Sequence, residues 1–138
     1  MEIKEVHKWE KAVVGILNII GWDLKWIGDE DKSWDAEGLS PKNRKVVIEM
    51  KFRDKYYEEK LLEKYKYDVL MKLPEDIVKL YFVNDPKANY MYWLDSLEMP
   101  DPVKLYCPST TIWNNRKVKK EVYLLKENWA SIINLNTN

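Results

Sequence analysis

The first twenty residues place apolar side chains at helical spacing. One face of this segment carries Val6, Trp9, Val13, Ile16, Leu17 and Ile20. The spacing predicts a first amphipathic helix from about Ile3 to Ile20 that ends near Gly21.

Alternation of apolar and polar residues then predicts strands. Trp22 to Ile27 alternates as a half-buried strand does, and "WDAEGLSPKNR" carries a second short strand that ends at Gly38 and Pro41. The third strand is "KVVIEMKF", with Val46, Ile48, Met50 and Phe52 on one face. That face is wholly apolar, so we expect it to meet the core.

The rest of the chain predicts one long helix and further strands. Asp54 is suited to cap a helix over "KYYEEKLLEKYKYDVLMK", which ends before Pro74. Asp76 to Asp85 is a fourth strand, "NYMYWLDSL" another, and "EMPDPV" a turn. The tail "VKKEVYLLKENWASII" fits a helix or a strand, and we favour a strand followed by a short turn.

This order of elements, helix, three strands, helix and strand, indicates an α/β fold with one mixed sheet. At 138 residues we expect a single domain, 1–138.

Hydrophobic residues at 46% and charged residues at 33% are typical of a soluble globular chain. The longest apolar run, Ala12 to Trp22, is too short to span a bilayer, and the charged start "MEIKEVHKWEK" is unlike a signal peptide. We therefore expect a cytoplasmic protein with no membrane partner.

Residue counts exclude several kinds of chemistry. No glycine is followed by lysine, so a Walker loop is absent. A single histidine, His7, argues against zinc hydrolases and histidine-based triads, and a single cysteine, Cys107, excludes an intrachain disulfide and a cysteine-based zinc cluster. Carboxylates and lysines remain in quantity, and they suit a site that holds a hard cation such as Mg²⁺.

The second face of "KVVIEMKF" carries charge inside an apolar segment. Glu49 and Lys51 lie side by side there, with Val47 beneath them. A surface strand also has such a face, and Glu-x-Lys recurs three times elsewhere in the chain. Asp35, however, lies fourteen positions upstream of Glu49, where a hairpin can bring the two carboxylates together. Such a pair can chelate Mg²⁺, with Lys51 within reach of water or phosphate at the metal.

These residues resemble the PD-(D/E)XK nuclease superfamily, and within it the small archaeal-type Holliday-junction resolvases. The matching motifs are Asp35 in "SWDAEG" and Glu49 and Lys51 in "VVIEMKF". Glu10 takes the place of a glutamate that many members carry on their first helix, while Trp34 stands where the superfamily name has proline. The resemblance covers about residues 5–84, and 85–138 form an extension outside it. It implies a restriction-endonuclease-like core, α-β-β-β-α-β, with helices flanking one central mixed sheet and C-terminal strands beyond it.

The resemblance also implies a mechanism. Asp35 and Glu49, with the Met50 carbonyl, would hold Mg²⁺, for which Mn²⁺ would substitute, and Glu37 could replace or assist Asp35. Lys51 would orient or deprotonate the attacking water or neutralise charge on the phosphate. Many members present a further polar side chain from the second helix, and we expect Lys64 or Tyr67 in that role.

DNA contacts need cations near this site although the 23 basic and 23 acidic residues balance. Phosphate contacts of this kind give affinity and register without sequence information. The candidates are Lys42, Arg44 and Lys45 in the hairpin beside Asp35, Arg53 and Lys55 after Lys51, and Arg116, Lys117, Lys119 and Lys120 with Trp113 nearby for stacking.

The leading hypothesis is thus a Mg²⁺-dependent endonuclease acting on branched or structured DNA, as a homodimer because paired cuts need two sites. A restriction-like or replication-associated nuclease of the same superfamily is an alternative. A third reading is a nucleic-acid-binding protein on an inactive nuclease scaffold. The paired charges of Asp35, Glu49 and Lys51 argue against that reading, because an inactive scaffold does not need them near its core.

Overall fold

Two sheets and two helices are described by the computed structural model, which covers residues 2–108 and 117–134. The elements are α1 (Ile3–Ile19), β1 (Asp23–Trp26), β2 (Ala36–Leu39), β3 (Lys45–Phe52), β4 (Glu59–Glu63), α2 (Lys64–Met71), β5 (Val78–Asn84), β6 (Asn89–Trp93), β7 (Val103–Pro108), β8 (Lys117–Lys126) and β9 (Ser131–Ile132). Short 3₁₀ turns follow β6 and β8. Within these ranges, neither helix is long and apolar enough to cross a membrane.

The central sheet has six strands in the order β1-β2-β3-β5-β6-β9. The β3–β5 pair is parallel and the other pairs are antiparallel, so the sheet is mixed. The predicted α/β fold with a central mixed sheet and C-terminal strands is confirmed. The prediction missed a second, three-stranded sheet in the order β4-β8-β7.

Strand β3 is buried on both faces. Ile48 and Met50 pack with Val13 and Leu17 of α1 in one core. Val47, on the opposite face, belongs to a second core formed with α2, β4 and β8. Glu49 and Lys51 share the face of Val47, so they point toward the second sheet and not toward open solvent.

Helix α1 ends where the sequence predicted, and a polar side chain joins it to the sheet. Gly21 follows with φ of 110°, a conformation that favours glycine. Asn18 bonds the Leu24 backbone twice, because its Nδ2 donates to the carbonyl at 3.0 Å and its Oδ1 accepts the N–H at 2.8 Å. Backbone groups of the edge strand β1 are thereby satisfied.

The predicted long second helix is wrong for residues 55–63. Only Lys64–Met71 is helical, while Glu59–Glu63 forms β4 and pairs antiparallel with β8. Lys60 and Leu62 point inward from β4, and Leu62 pairs with Tyr123. Packing against a strand from the far end of the chain overrides the local helical pattern.

The C-terminal tail forms the strand β8, a 3₁₀ turn and the short strand β9. The favoured interpretation, a strand followed by a short turn, is confirmed, and the helical alternative is wrong. Through β8 the extension covers the face of the central sheet that carries Glu49.

Candidate active site

The β2–β3 hairpin fixes Asp35 beside Glu49. The register pairs Ala36 with Ile48, so the preceding residue, Asp35, lies next to Glu49 across the hairpin. The Asp35 N–H donates to the Ile48 carbonyl at 2.9 Å, and the Met50 N–H donates to Asp35 Oδ2 at 2.8 Å. These bonds hold the Asp35 backbone and carboxylate on the sheet.

A pocket of about 190 Å³ opens over this pair of carboxylates. We call it the site pocket, and it is lined by Val6, Glu10, Asp35, Glu49, Met50, Lys51, Phe52 and Lys66. The structure thus brings Glu10, Asp35, Glu49, Met50 and Lys51 together, as the sequence predicted. It adds Lys66, which the sequence analysis missed.

Lys66 is the direct partner of Glu49. Lys66 lies on α2, and its Nζ donates to Glu49 Oε1 on β3 at 3.0 Å. Burial and the negative charge of Asp35 raise the pKa of Glu49 to about 7, although Lys66 acts in the opposite direction. Burial acts to lower the pKa of Lys66, but the carboxylates of Glu49, Glu63 and Asp35 together outweigh it and the pKa is raised.

Glu10 enters the site pocket from α1. Its Oε1 accepts a hydrogen bond from Trp26 Nε1 at 3.0 Å, and burial raises the pKa of this carboxyl. A β-carbon on residue 28 would lie 2.6 Å from Glu10 Oε1 and clash with it, so the glycine at this position leaves room for the Glu10 carboxylate. The negative charge of Asp35 raises the pKa of Glu10 further, because the helix and the hairpin bring these two carboxyl groups into the same pocket.

Lys51 follows Glu49 on the same strand face and is half-buried. Burial lowers the pKa of its ammonium, and the neighbouring charges of Arg53 and Lys66 lower it further. A lysine that is crowded by other cations in this way favours an anion such as phosphate.

The donors of the site pocket suit a hard cation. Burial raises the pKa of Asp35, with the Met50 N–H partly offsetting it, and the two carboxyl groups of Asp35 and Glu49 share the positive charge of Lys66. Oxygen donors of this kind are what Mg²⁺ prefers. In residues 2–108 and 117–134, no three His, Cys, Asp or Glu side chains are arranged to hold a metal by themselves. A metal at Asp35 and Glu49 would therefore need backbone and water oxygens as well.

The side chains expected from the second helix lie elsewhere. Lys64 bonds Asp68 at 2.7 Å and does not line the site pocket, and Tyr67 packs edge-on against Tyr123. Because the helix begins only at Lys64, Lys66 is the lysine that faces Glu49. The sequence of β4, "EKLLE", does not alternate apolar and polar residues, so no local signal marks this later start.

Glu37, expected as a replacement or assistant for Asp35, lies outside the site pocket. Its Oε1 accepts a hydrogen bond from Lys32 at 2.8 Å near the surface. The structure therefore does not bring it to Glu49.

The cations expected to contact DNA separate into three groups. Lys42, Arg44 and Lys45 are exposed at the turn of the hairpin, the end opposite Asp35, so their expected place beside Asp35 is wrong. Lys45 is four positions from Glu49, about 13 Å along a strand. Arg53 and Lys55 instead line a large cleft that adjoins the site pocket.

The third group lies in and before β8. Arg116 and Trp113 are outside the described residues, and Lys117 is the first residue of β8. Lys119 is exposed on β8, and Lys120 bonds Glu63 at 2.9 Å. Whether any of these cations contacts DNA stays a prediction.

Helix, hairpin, Glu-x-Lys strand and parallel partner strand together define a restriction-endonuclease-like fold. Among solved structures the chain is similar to Archaeoglobus fulgidus Hjc, a Holliday junction resolvase from an archaeal hyperthermophile. The TM-score is 0.61 at 12% identity, over 91% of this chain and 89% of that one. The resemblance noted in the sequence is thereby confirmed as a likeness of fold. No family model and no curated protein matches the chain.

Proposed function

We propose that this protein is a metal-dependent endonuclease that hydrolyses phosphodiester bonds in branched or structured DNA. The observation that carries the proposal is the meeting of Asp35, Glu49 and Lys51 in one pocket on a rigid hairpin. The likeness to a resolvase fold supports the same class of substrate.

Asp35 and Glu49, with the Met50 carbonyl, would hold Mg²⁺, or Mn²⁺ in its place. When bound, the cation lowers the pKa of water and stabilises negative charge on the phosphate. The Met50 N–H holds the Asp35 carboxylate in position, Trp26 holds Glu10 in the same pocket, and Lys66 orients the Glu49 carboxylate. Lys51 orients the attacking water or compensates the charge that builds on the phosphate oxygens.

The protein would act as a homodimer. One site cuts one strand, so two copies are needed for paired cuts in the arms of a junction. Arg53 and Lys55 would contribute phosphate contacts from the cleft beside the site pocket.

Titration calorimetry with MgCl₂ tests the metal site directly. We expect binding by the wild-type protein, loss of binding in Glu49→Gln, and unchanged binding in Glu37→Gln, a matched carboxylate outside the site pocket. Equal binding by all three proteins would show that Mg²⁺ does not use this site.

A further inference from the structure

A large cleft continues from the site pocket toward the second sheet. Its volume is about 540 Å³, and it shares Glu49, Lys51 and Lys66 with the site pocket. β3 and the segment after it form one side, while β4, β7 and β8 contribute the other. A ligand in this cleft would extend directly from the reacting phosphate.

Three cations line one side of the cleft at alternate positions of the chain, Lys51, Arg53 and Lys55. None of them forms an ion pair within residues 2–108 and 117–134. The Arg53 N–H donates to the Asn84 carbonyl at 2.8 Å, which holds this segment against β5. The backbone is thus held at Lys51 by β3 and at Arg53 by this bond, and the cations are available to anions.

Carboxylates in the cleft are mostly neutralised by lysines. Glu49 pairs with Lys66 at 3.0 Å and Asp85 with Lys60 at 2.6 Å. Glu63 in the same way pairs with Lys120. Among the described residues, Glu59 is the one lining carboxylate without an ion pair. The unpaired charge along the cleft is accordingly positive.

The opposite side of the cleft is apolar. Leu61 and Leu124 are partners in the β4–β8 register, so their side chains share one face of the second sheet. Leu105 of β7 also lines the cleft and is 39% exposed. Tyr57, 59% exposed, adds an aromatic residue at the edge. Exposed apolar surface beside a row of cations suits a ligand that has both apolar groups and negative charges.

We propose that the cleft binds an unpaired single strand that leaves the scissile phosphate, with its phosphates along Lys51, Arg53 and Lys55. The base faces of a duplex are stacked and inaccessible, so a duplex would present mainly phosphates to this cleft. An unpaired strand can place both its bases and its phosphates in it. The inference rests on the proposed nuclease function and makes its substrate more specific. The preferred DNA has a flap, gap or open branch point next to the cut.

Binding in EDTA tests the cleft without any hydrolysis. Fluorescein-labelled dT10, U10 and a blunt duplex of equal strand length are titrated with protein, and anisotropy is followed at several salt concentrations. We expect dT10 to bind more tightly than the duplex. Equal or tighter binding of the duplex would overturn the proposal, and binding of U10 at the affinity of dT10 would support a cleft for either kind of strand.

Matched variants locate the strand. Lys55→Ala should reduce the salt slope for dT10 by about 0.7, the value for one lost phosphate contact on a single strand. Lys72→Ala, an exposed lysine at the end of α2, should leave the slope unchanged. Equal slopes for the two variants would contradict the placement of the strand.

Tyr57→Ala should weaken dT10 binding about tenfold, as expected for one stacked base, and Tyr57→Phe should restore it. Tyr65→Ala, an exposed tyrosine outside the cleft, should have no effect. Loss in both alanine variants, or in neither, would overturn the proposal. Because these titrations need no cleavage, an inactive protein that passes them would refute the nuclease function and not the strand site.

Discussion

Glu49 is the residue around which the charges of the site are arranged. Only 7% of its side chain is exposed, and Asp35 and Lys66 act on it from two different elements. Its pKa of about 7 means that metal-free protein near neutral pH holds this carboxyl partly protonated. A cation at the site pocket would hold it ionised.

Lys51→Met is expected to remove most cleavage activity and to leave the fold intact. The methionine keeps the apolar part of the side chain but loses the ammonium that acts on the water or phosphate. Losses of about 10² to 10³ in rate are typical when one such electrostatic group is removed. Single-turnover cleavage at saturating Mg²⁺ measures the effect, and circular dichroism checks the fold. Wild-type rates in the variant would exclude Lys51 from the chemistry.

Lys66 and Lys64 make a matched pair for testing the role of α2. Lys66→Ala leaves Glu49 without its cation, so we expect at least a tenfold loss of cleavage. Lys64→Ala removes only a surface pair with Asp68 and should change the rate less than twofold. Wild-type rates in both variants would show that neither lysine from α2 assists the reaction.

At the scale of elements, the local sequence pattern was enough to predict the hairpin and β3. The spacing from Asp35 to Glu49 and the alternation in "KVVIEMKF" are local features of the sequence. The structure contains the hairpin and the strand that they predict. Segment 55–63 behaves differently, because its strand partner is β8. The helical spacing of its leucines and tyrosines therefore led to a wrong helix prediction. For the same reason Lys64, and not Lys66, was expected at the site.

Leu62→Ala tests the strand assignment of β4. Leu62 is 1% exposed and packs in the second core, so its truncation should cost about 2–5 kcal/mol of unfolding free energy. Leu61→Ala removes the same atoms from the partly exposed face and should cost clearly less. Urea denaturation measures both, and similar losses would contradict the alternation of buried and exposed positions in β4.

At the scale of the whole molecule, a buried ionic cluster holds the two sheets together. Lys60 of β4 pairs with Asp85, which follows β5 of the central sheet, and with Glu127 after β8. The Lys60 Nζ also lies 4.3 Å from the centre of the Tyr90 ring. Three distant parts of the chain meet at one ammonium. This cluster was not predicted from the sequence, because Lys60 lies in the segment that was predicted as a helix.

Asp85→Ala should destabilise the whole fold, because it leaves the Lys60 ammonium buried with a weaker partner. Removing one member of a buried ion pair typically costs about 3–5 kcal/mol. Asp76→Ala, which breaks an exposed pair with Lys45, should have little effect. If the sheets unfold together, Asp85→Ala keeps a single urea transition with an unchanged m-value. Two separate transitions would show that the second sheet unfolds independently.

The most direct test of the account is Mg²⁺-dependent cleavage of a labelled DNA panel. The panel contains a four-way junction, a flap, a linear duplex and a single strand, with Glu49→Gln and Glu37→Gln as matched variants. We expect cuts in the junction or the flap that require Mg²⁺, disappear in Glu49→Gln and persist in Glu37→Gln. If the folded wild-type protein cuts none of these, or if Glu49→Gln cuts them equally well, the site pocket is not a nuclease active site.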